Sequence, residues 1–204
     1  MSSTYYSQGS TIDENGTVYV YTSNTSYNGG NLLVFDKTTE TLASTISTNF
    51  KHGGSMTKKG GYIYVAPADE TNDILVYNTS TGTVSRNTTL ESETSYSNCV
   101  GVADYDTNKI LVMLGQQGYN ANVMGLAPYV FNVNDNSFDK ITLTNSKGFN
   151  LSMFYAYQDV AYNNGHIYML VSQPNCILDF YVNGDSADLQ KIYQIPRRDL
   201  LGLR

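Results

Sequence analysis

Two histidines, two cysteines and eighteen acidic residues are the side chains of this sequence that could take part in catalysis or metal binding. His52 stands before a double glycine in "KHGGSMT", and His166 follows a tight turn in "NNGHIY". These contexts place the two histidines at opposite ends of the strands predicted below, so they are not expected to act as a pair. No Ser/His/Asp spacing and no nucleophile elbow is present. The sequence therefore predicts no catalytic residue of the acyl-transfer type.

"DYDTN", residues 104–108, resembles the start of a calcium-binding loop without the rest of it. Such a loop needs glycine at its sixth position and glutamate at its twelfth. Lys109 and Gly115 occupy those two positions here. Cys99 and Cys176 are far apart in the sequence and make neither a metal motif nor a disulfide framework. We predict no metal site, no cofactor and two buried thiols.

The composition indicates a folded all-β protein. Hydrophobic residues make up 41% of the 204 residues, which is enough for one substantial core. The chain has 18 tyrosines and no tryptophan, and only 15% of its residues are charged. Tyr, Val, Ile and Thr favour strands, while the many Gly and Asn residues favour tight turns.

The charge and hydropathy patterns exclude several classes of protein. A net charge of −6 argues against binding a nucleic-acid backbone, which needs a basic surface. The sequence has no apolar run long enough to span a membrane. The N-terminus "MSSTYYSQGS" lacks the features of a signal peptide. We therefore expect a cytoplasmic protein, a virion component assembled inside the cell, or a domain excised from an extracellular protein.

A pattern of strands repeats four times along the chain, at intervals of roughly 50 residues. The strongest strand signals are 18–20, 63–65, 110–112 and 167–169. A run of small residues precedes each of them, a second apolar run follows it, and a weaker polar run comes last. Four-stranded antiparallel units with this period and no intervening helix are typical of β-propeller blades.

The sequence therefore predicts an all-β protein, a β-propeller built from four four-stranded antiparallel blade repeats. The ring is either four-bladed or most of a five-bladed one. We place the repeats at about 5–50, 51–95, 96–150 and 151–196 of a single domain, 1–204, with 197–204 as a C-terminal tail. Small residues are expected in the innermost strands because these crowd around the axis, and apolar residues in the middle strands because these pack against neighbouring blades.

The repeated pattern "QGSTID" or "GGSMT", then "VYV" or "IYV", then "LLVFDKTT" or "ILVYNTSTG", resembles bacterial propellers with NHL-like and YVTN-like repeats. The resemblance covers nearly the whole chain and implies a fold rather than an activity. The Tyr-, Asn- and Ser-rich acidic character, with "SQG" near the start and no signal peptide, is also similar to propeller platforms in tail or receptor-binding proteins of phages of Gram-positive bacteria. Those domains imply attachment to cell-wall glycopolymers, often as trimers.

The propeller resemblance implies a ligand site on the face that carries the second-to-third and outer-to-inner strand connections. The long connections 22–31, 115–128 and 145–157 are expected on this loop-rich face, and long loops in compact domains are usually functional or disordered. The candidate ligand contacts are the residues that open each inner strand there, together with two loop tyrosines. They are Gln8, His52, Asn98, Tyr119, Tyr155, Tyr157 and Gln158.

Carboxylates are scarce on the expected site face. Glycoside hydrolysis needs two carboxylates that face each other across the site. Asp159 is expected on the loop-rich face, whereas Asp13, Glu14, Asp104 and Asp106 are expected in turns on the opposite face. A hydrolase or lyase is therefore the least favoured function.

Tyrosine rings amid amides and hydroxyls suit sugars or a polar protein surface. The leading hypothesis is a non-enzymatic module that binds a surface polysaccharide or glycopolymer through the loop-rich face. The alternative is a protein–protein interaction scaffold that uses the same face. Neither hypothesis involves nucleic acid or membrane insertion, and homo-oligomers are compatible with both.

Overall fold

A computed structural model of the chain describes residues 5–24, 29–48, 54–67, 71–116 and 122–196, with the backbone alone for residues 5–8. The described residues form strands joined by turns, loops and two short 3-10 helices, Thr89–Ser92 and Val123–Gly125. The strands are β1 (Tyr5–Ile12), β2 (Val18–Asn24), β3 (Gly30–Phe35), β4 (Leu42–Thr48), β5 (Met56–Lys59), β6 (Tyr62–Val65), β7 (Ile74–Asn78), β8 (Val84–Asn87), β9 (Asn98–Asp106), β10 (Lys109–Gly115), β11 (Leu126–Asn132), β12 (Phe138–Lys140), β13 (Thr142–Thr144), β14 (Tyr155–Asn163), β15 (His166–Gln173), β16 (Asn175–Asn183) and β17 (Ser186–Gln194).

Consecutive strands pair into four antiparallel sheets. Blade 1 is β1–β4, blade 2 is β5–β8, blade 3 is β9–β12, and blade 4 is β14–β17. The first strand of each blade lies innermost and its last strand lies outermost. The prediction of an all-β, propeller-like fold of four blades is confirmed.

The outer strand of the third repeat departs from the simple pattern. The sequence pattern indicates one strand over residues 138–144, but the chain crosses between two blades at Ile141. Strand β12 pairs with β11 of blade 3, while β13 pairs in parallel with β17 of blade 4. Ile141 is buried, and its N–H donates to the Pro128 carbonyl at 2.8 Å. Blade 4 thus has a fifth strand, which covers an edge that would otherwise expose unpaired backbone groups.

The core consists of three apolar clusters, each between two consecutive blades. Successive side chains of a strand point to opposite faces of its sheet. Ile63 and Tyr64, adjacent in β6, are both buried because blade 2 packs against blade 1 on one face and against blade 3 on the other. The Tyr/Val/Ile-rich middle strands are therefore runs of buried residues in a blade that has a neighbouring blade on both faces.

Small residues let the inner strands approach one another closely. A Cβ atom at Gly9 of β1 would lie 2.4 Å from the carbonyl oxygen of Gly54, just before β5. Inner strands β1, β9 and β14 each contain a shift in register, at Gln8, Val100 and Gln158. Such bulges bend a strand and redirect its side chains, and they are common beside functional sites.

Candidate binding site in the central channel

All four inner strands line one open central cavity, the central channel, with a volume of about 520 Å³. Gly9, Ser55, Gly101 and Asp159 stand at equivalent positions on β1, on the segment before β5, on β9 and on β14. Three of these residues are small. Asp159 is the residue of this set whose side chain is long enough to reach into the channel.

Asp159 has hydrogen-bond donors on two sides. Its Oδ1 accepts from the N–H of Val160 at 2.8 Å, and the Ser55 hydroxyl donates to the same carboxylate. The Ser55 hydroxyl oxygen in turn accepts from the N–H of Val102 at 2.7 Å. A chain of hydrogen bonds thus joins the inner strands of blades 2, 3 and 4 and fixes the orientation of the carboxylate.

The surroundings of Asp159 disfavour its charged form. Its side chain is exposed to the channel, between inner strands that partly surround it. Partial desolvation at this position raises the pKa of Asp159, and hydrogen bonds from Val160 and Ser55 only partly counteract the effect. Asp159 is therefore a hydrogen-bond acceptor that a ligand in the channel can reach.

Gln158 and Tyr155 lie on β14, one and four residues before Asp159. Gln158 occupies the bulge and is exposed, and its amide nitrogen donates weakly to the Ala156 carbonyl at 3.3 Å and to Ser172 Oγ at 3.4 Å. Tyr155 is 43% exposed at the start of the strand. An amide, a carboxylate and an aromatic ring are thus presented in sequence along one inner strand.

Two of the long loops pack together next to Tyr155. The N–H of Val123 donates to the Phe154 carbonyl at 2.9 Å, and the Asn122 amide donates to the Leu151 carbonyl at 2.9 Å. Phe154 and Leu151 are buried in the cluster between blades 3 and 4. The described parts of these loops therefore form a structured surface around the channel mouth.

The seven predicted contacts fall into three groups. Tyr155 and Gln158 are exposed on the loop-rich face, as described above. His52 and Tyr119 lie outside the described residues, and of Gln8 only the backbone is described, at the bulge of β1. For all seven residues, contact with a ligand stays a prediction.

Asn98 and Tyr157 have surroundings that the sequence does not reveal. Asn98 is 6% exposed, and its amide donates to Ser97 Oγ at 2.9 Å. Tyr157 is 1% exposed and belongs to the cluster between blades 3 and 4, with its hydroxyl against Gly101. The bulge of β14 lies at Gln158, directly after Tyr157. The Tyr157 ring packs in the core, whereas the Gln158 side chain is exposed.

Asp104 lies in the channel, contrary to its expected position in a turn. It belongs to β9, lines the same cavity as Asp159 and forms an ion pair with Lys59 of blade 2. Tyr105, the next residue, stacks on Tyr162 with ring centroids 4.2 Å apart. Since Tyr162 is three residues after Asp159 on β14, the backbone positions of Asp104 and Asp159 are offset by about 10 Å along the strand direction.

Two exposed methionines on the loop-rich face escaped the sequence-based prediction. Met124 and Met153 are 47% and 66% exposed, on the two loops that pack together. Both methionines lie in Asn- and Ser-rich segments that have no hydrophobic periodicity. The sequence therefore could not show whether these side chains are exposed or part of the core.

Other site types find no support in the described part of the chain. Its His, Cys, Asp and Glu residues form no cluster of three or more that could hold a metal ion. Among the same residues, no helix is long and apolar enough to cross a membrane.

No protein-family model matches the sequence, and no curated protein matches it significantly. Solved structures do share its fold. The major allergen Mala s 1 of Malassezia sympodialis aligns over 93% of this chain and 64% of its own, with a TM-score of 0.60 and 12% identity. The computationally designed protein Ika4 aligns over 87% of this chain and 92% of its own, with a TM-score of 0.52 and 10% identity.

A third structure, U3-55K, aligns over 93% of this chain and 54% of its own, with a TM-score of 0.53 and 8% identity. At these identities the likeness concerns the fold alone. The chain therefore belongs with all-β, propeller-like proteins, and its function has to be argued from the channel and the loop-rich face.

Proposed function

We propose that this chain is a non-enzymatic binding module that recognises a surface polysaccharide or glycopolymer through the loop-rich face and the mouth of the central channel. The observation that carries the proposal is Asp159, an exposed carboxylate that lines the central channel among small residues of the other inner strands. A ligand that brings hydroxyl donors to this point can hydrogen-bond to its oxygens.

The neighbouring groups suit a sugar chain. Sugar hydroxyls can donate to Asp159 and exchange hydrogen bonds with the Gln158 amide, which holds only long hydrogen bonds of its own. The exposed ring of Tyr155 offers a flat apolar surface for the carbon face of a sugar. Tyr155 and Asp159 are four residues apart, about 13 Å in an extended strand, which is longer than one sugar ring and favours an oligomeric ligand.

The ion pair of Asp104 supports binding rather than hydrolysis. Glycoside hydrolysis needs two carboxyl groups that act together across the site. Asp104 shares the channel with Asp159, but it is engaged by Lys59, so its charge is already compensated.

A protein-interaction scaffold is the second candidate, and the exposed Met124 and Met153 favour it. Methionine side chains adapt to different partners and are common at protein-binding surfaces. Together with Tyr155 they give the loop-rich face three large exposed apolar groups. In this alternative the partner covers the loops and makes little use of the channel.

Co-sedimentation with Gram-positive cell walls, before and after chemical removal of their glycopolymers, tests the leading proposal. The resemblance to phage receptor-binding platforms motivates this choice of probe. We expect binding to the intact walls and loss of binding to the stripped walls. Asp159→Asn and Gln158→Ala should each weaken binding at least tenfold, since each removes a hydrogen-bonding group or its charge.

A matched control and a discriminating variant complete the design. Tyr62→Ala, which removes a 42%-exposed tyrosine at the far end of blade 2, should bind like the wild type, whereas Tyr155→Ala should not. Loss of binding in a Met124→Ala, Met153→Ala double variant with no effect of Asp159→Asn would favour the protein scaffold. Failure to bind any intact wall would refute the glycopolymer proposal.

A further inference from the structure

The second strand of each blade contains three consecutive residues that we call its triplet: 18–20, 63–65, 110–112 and 167–169. On the third strand, an aromatic residue pairs with the first residue of each triplet. These residues are Phe35, Tyr77, Phe131 and Phe180. Tyr77, Phe131 and Phe180 are at most 6% exposed, because each packs against the preceding blade. Phe35 of blade 1 is only half-buried, because the described chain contains no blade before it.

The opposite side of each blade shows the complementary pattern. The central residues of the four triplets are Tyr19, Tyr64, Leu111 and Tyr168. The first three are at most 5% exposed and pack against the following blade, whereas Tyr168 of blade 4 is half-buried. Among the described residues, no apolar cluster joins blade 4 to blade 1.

The two half-exposed surfaces therefore repeat several of the aromatic and aliphatic positions that the three internal interfaces bury. They differ in charge: beside Tyr168, blade 4 has Asp179, paired with His166, where the other blades have valine at 34, 76 and 130. On blade 1, Ile12, Val18, Val20 and Phe35 line an apolar groove of about 490 Å³. On blade 4, Tyr181 and Tyr193 are 48% and 39% exposed beside Tyr168. We call these surfaces the blade 1 face and the blade 4 face.

The existing interfaces define how such faces meet. In the interface between blades 1 and 2, the ring of Tyr19 lies 6.3 Å from that of Tyr77. Tyr64 and Phe131 share the cluster between blades 2 and 3, and Leu111 and Phe180 share the next one. The equivalent contact for the two half-exposed faces joins Tyr168 to Phe35.

We propose that two copies of this chain associate head to tail, with the blade 4 face of each copy against the blade 1 face of the other. A second copy is the occupant, because it offers Phe35 and Tyr168 aromatic or aliphatic partners of the kind that their counterparts meet in the three internal interfaces. Two-fold symmetry, the commonest symmetry of soluble oligomers, lets both contacts form at once. The central contact joins Tyr168 of one copy to Phe35 of the second copy.

The wild-type protein gives the first test, by light scattering coupled to size-exclusion chromatography over a dilution series. We expect a mass twice that of one chain at high concentration, falling to that of one chain on dilution. Hydroxyl-radical footprinting should show Tyr168 and Tyr181 protected at high concentration and exposed at low concentration. A mass of one chain at all concentrations, or of three chains, would overturn the proposal.

Two variants then test the head-to-tail arrangement. Phe35→Asp damages the blade 1 face alone, and Tyr168→Asp damages the blade 4 face alone. Each variant should have the mass of a single chain at the concentration where the wild type is paired. A one-to-one mixture of the two variants should regain pairs, because one undamaged blade 4 face can meet one undamaged blade 1 face.

Controls separate loss of pairing from loss of folding. Both variants must retain the β-sheet circular dichroism of the wild type, and Val20→Lys replaces Phe35→Asp if that variant unfolds. Met153→Asp, on an exposed loop, should pair like the wild type. Pairs that survive both single substitutions, or that fail to return in the mixture, would contradict the head-to-tail contact.

Discussion

Replacement of Gly101 by alanine is expected to destabilise the junction between blades 3 and 4. A Cβ atom at this position would lie 2.0 Å from Tyr157 Oη, 3.0 Å from Tyr157 Cζ and 3.1 Å from Val160 Cγ1. Because ordinary non-bonded contacts lie at about 3.5–4.0 Å, the hydroxyl would have to move by about 1.5 Å in a packed core. Overpacking of this kind costs about 1–3 kcal/mol, against a gain of about 0.5–1 kcal/mol from replacing glycine within a strand. We expect a net loss of about 1–2 kcal/mol in the free energy of unfolding.

A second substitution identifies the cause of this loss. Tyr157→Phe removes the atom nearest to the new methyl group and leaves contacts that need to relax by only about 0.5 Å. Tyr157→Phe alone should change stability by less than about 1.5 kcal/mol. In the double variant the two effects should not add, and we expect a coupling of about 1 kcal/mol in favour of the double variant.

Urea unfolding followed by circular dichroism and tyrosine fluorescence measures these differences, since the chain has no tryptophan. Gly61→Ala is the matched control, because the nearest atom to its Cβ would be Thr79 Oγ1 at 4.0 Å, and its stability should stay within about 0.5 kcal/mol of the wild type. Strict additivity of the Gly101→Ala and Tyr157→Phe effects would refute the steric reasoning.

Three further substitutions have expected outcomes. Phe131→Ala should lower the free energy of unfolding in urea by about 3–5 kcal/mol, because Phe131 is fully buried. Phe35→Ala should lower it by less than half as much at concentrations where the protein is monomeric, because Phe35 is only half-buried. Equal losses would contradict the assignment of the blade 1 face. His166→Ala leaves the buried Asp179 without the Nδ1 partner that lies 2.6 Å away, and it should cost about 1–3 kcal/mol in thermal unfolding; an unchanged melting temperature would contradict this. Because desolvation raises the pKa of Asp159, ionisation of this group opposes folding. The wild type should therefore lose stability relative to Asp159→Asn as the pH rises from about 4 through the raised pKa. A stability difference that is constant from pH 3 to 8 would refute the assigned pKa shift.

The architecture was predictable because each repeat combines several local signals. Val18–Val20 and its three counterparts mark the second strands, and the short Gly-containing turns mark the hairpins that precede them. Small residues at Gly9 and Ser55 predicted inner strands, since only short side chains fit four strands around one axis. Fold class, strand order and the four repeats follow from these local patterns, which leave open a four-bladed ring or most of a five-bladed one.

The division of the outer strand at Ile141 was not predictable. Residues 141–144 alternate as a strand would, and the alternation breaks between Phe138 and Ile141, which are three positions apart. Such a break does not say that a different sheet receives the second half. That choice depends on the position of β17, which is more than forty residues away along the chain. Pairings of this kind are set by tertiary packing rather than by local propensity.

The candidate site was predictable only in outline. The inner-strand positions led to Gln158 and Asp159, but a bulge decides which neighbouring side chain reaches the channel, and a one-residue shift exchanges the two faces of a strand. Tyr157 therefore packs in the core while Gln158 is exposed. Asp104 was assigned to a turn because "DYDTN" has the composition of a hairpin turn, whereas β9 extends through Asp104 to Asp106.

The two proposals act on different surfaces and reinforce each other. If the blade 4 face meets the blade 1 face of a second copy in the way that neighbouring blades meet, the two copies are related by a rotation about the channel axis. Such a rotation leaves both loop-rich faces on the same side of the assembly. A repetitive surface polymer could then engage two sites at once, and the second binding event would benefit from a high effective concentration. Variants of the blade 1 or blade 4 face should therefore weaken binding to intact cell walls while leaving the binding of a short soluble fragment of the glycopolymer unchanged.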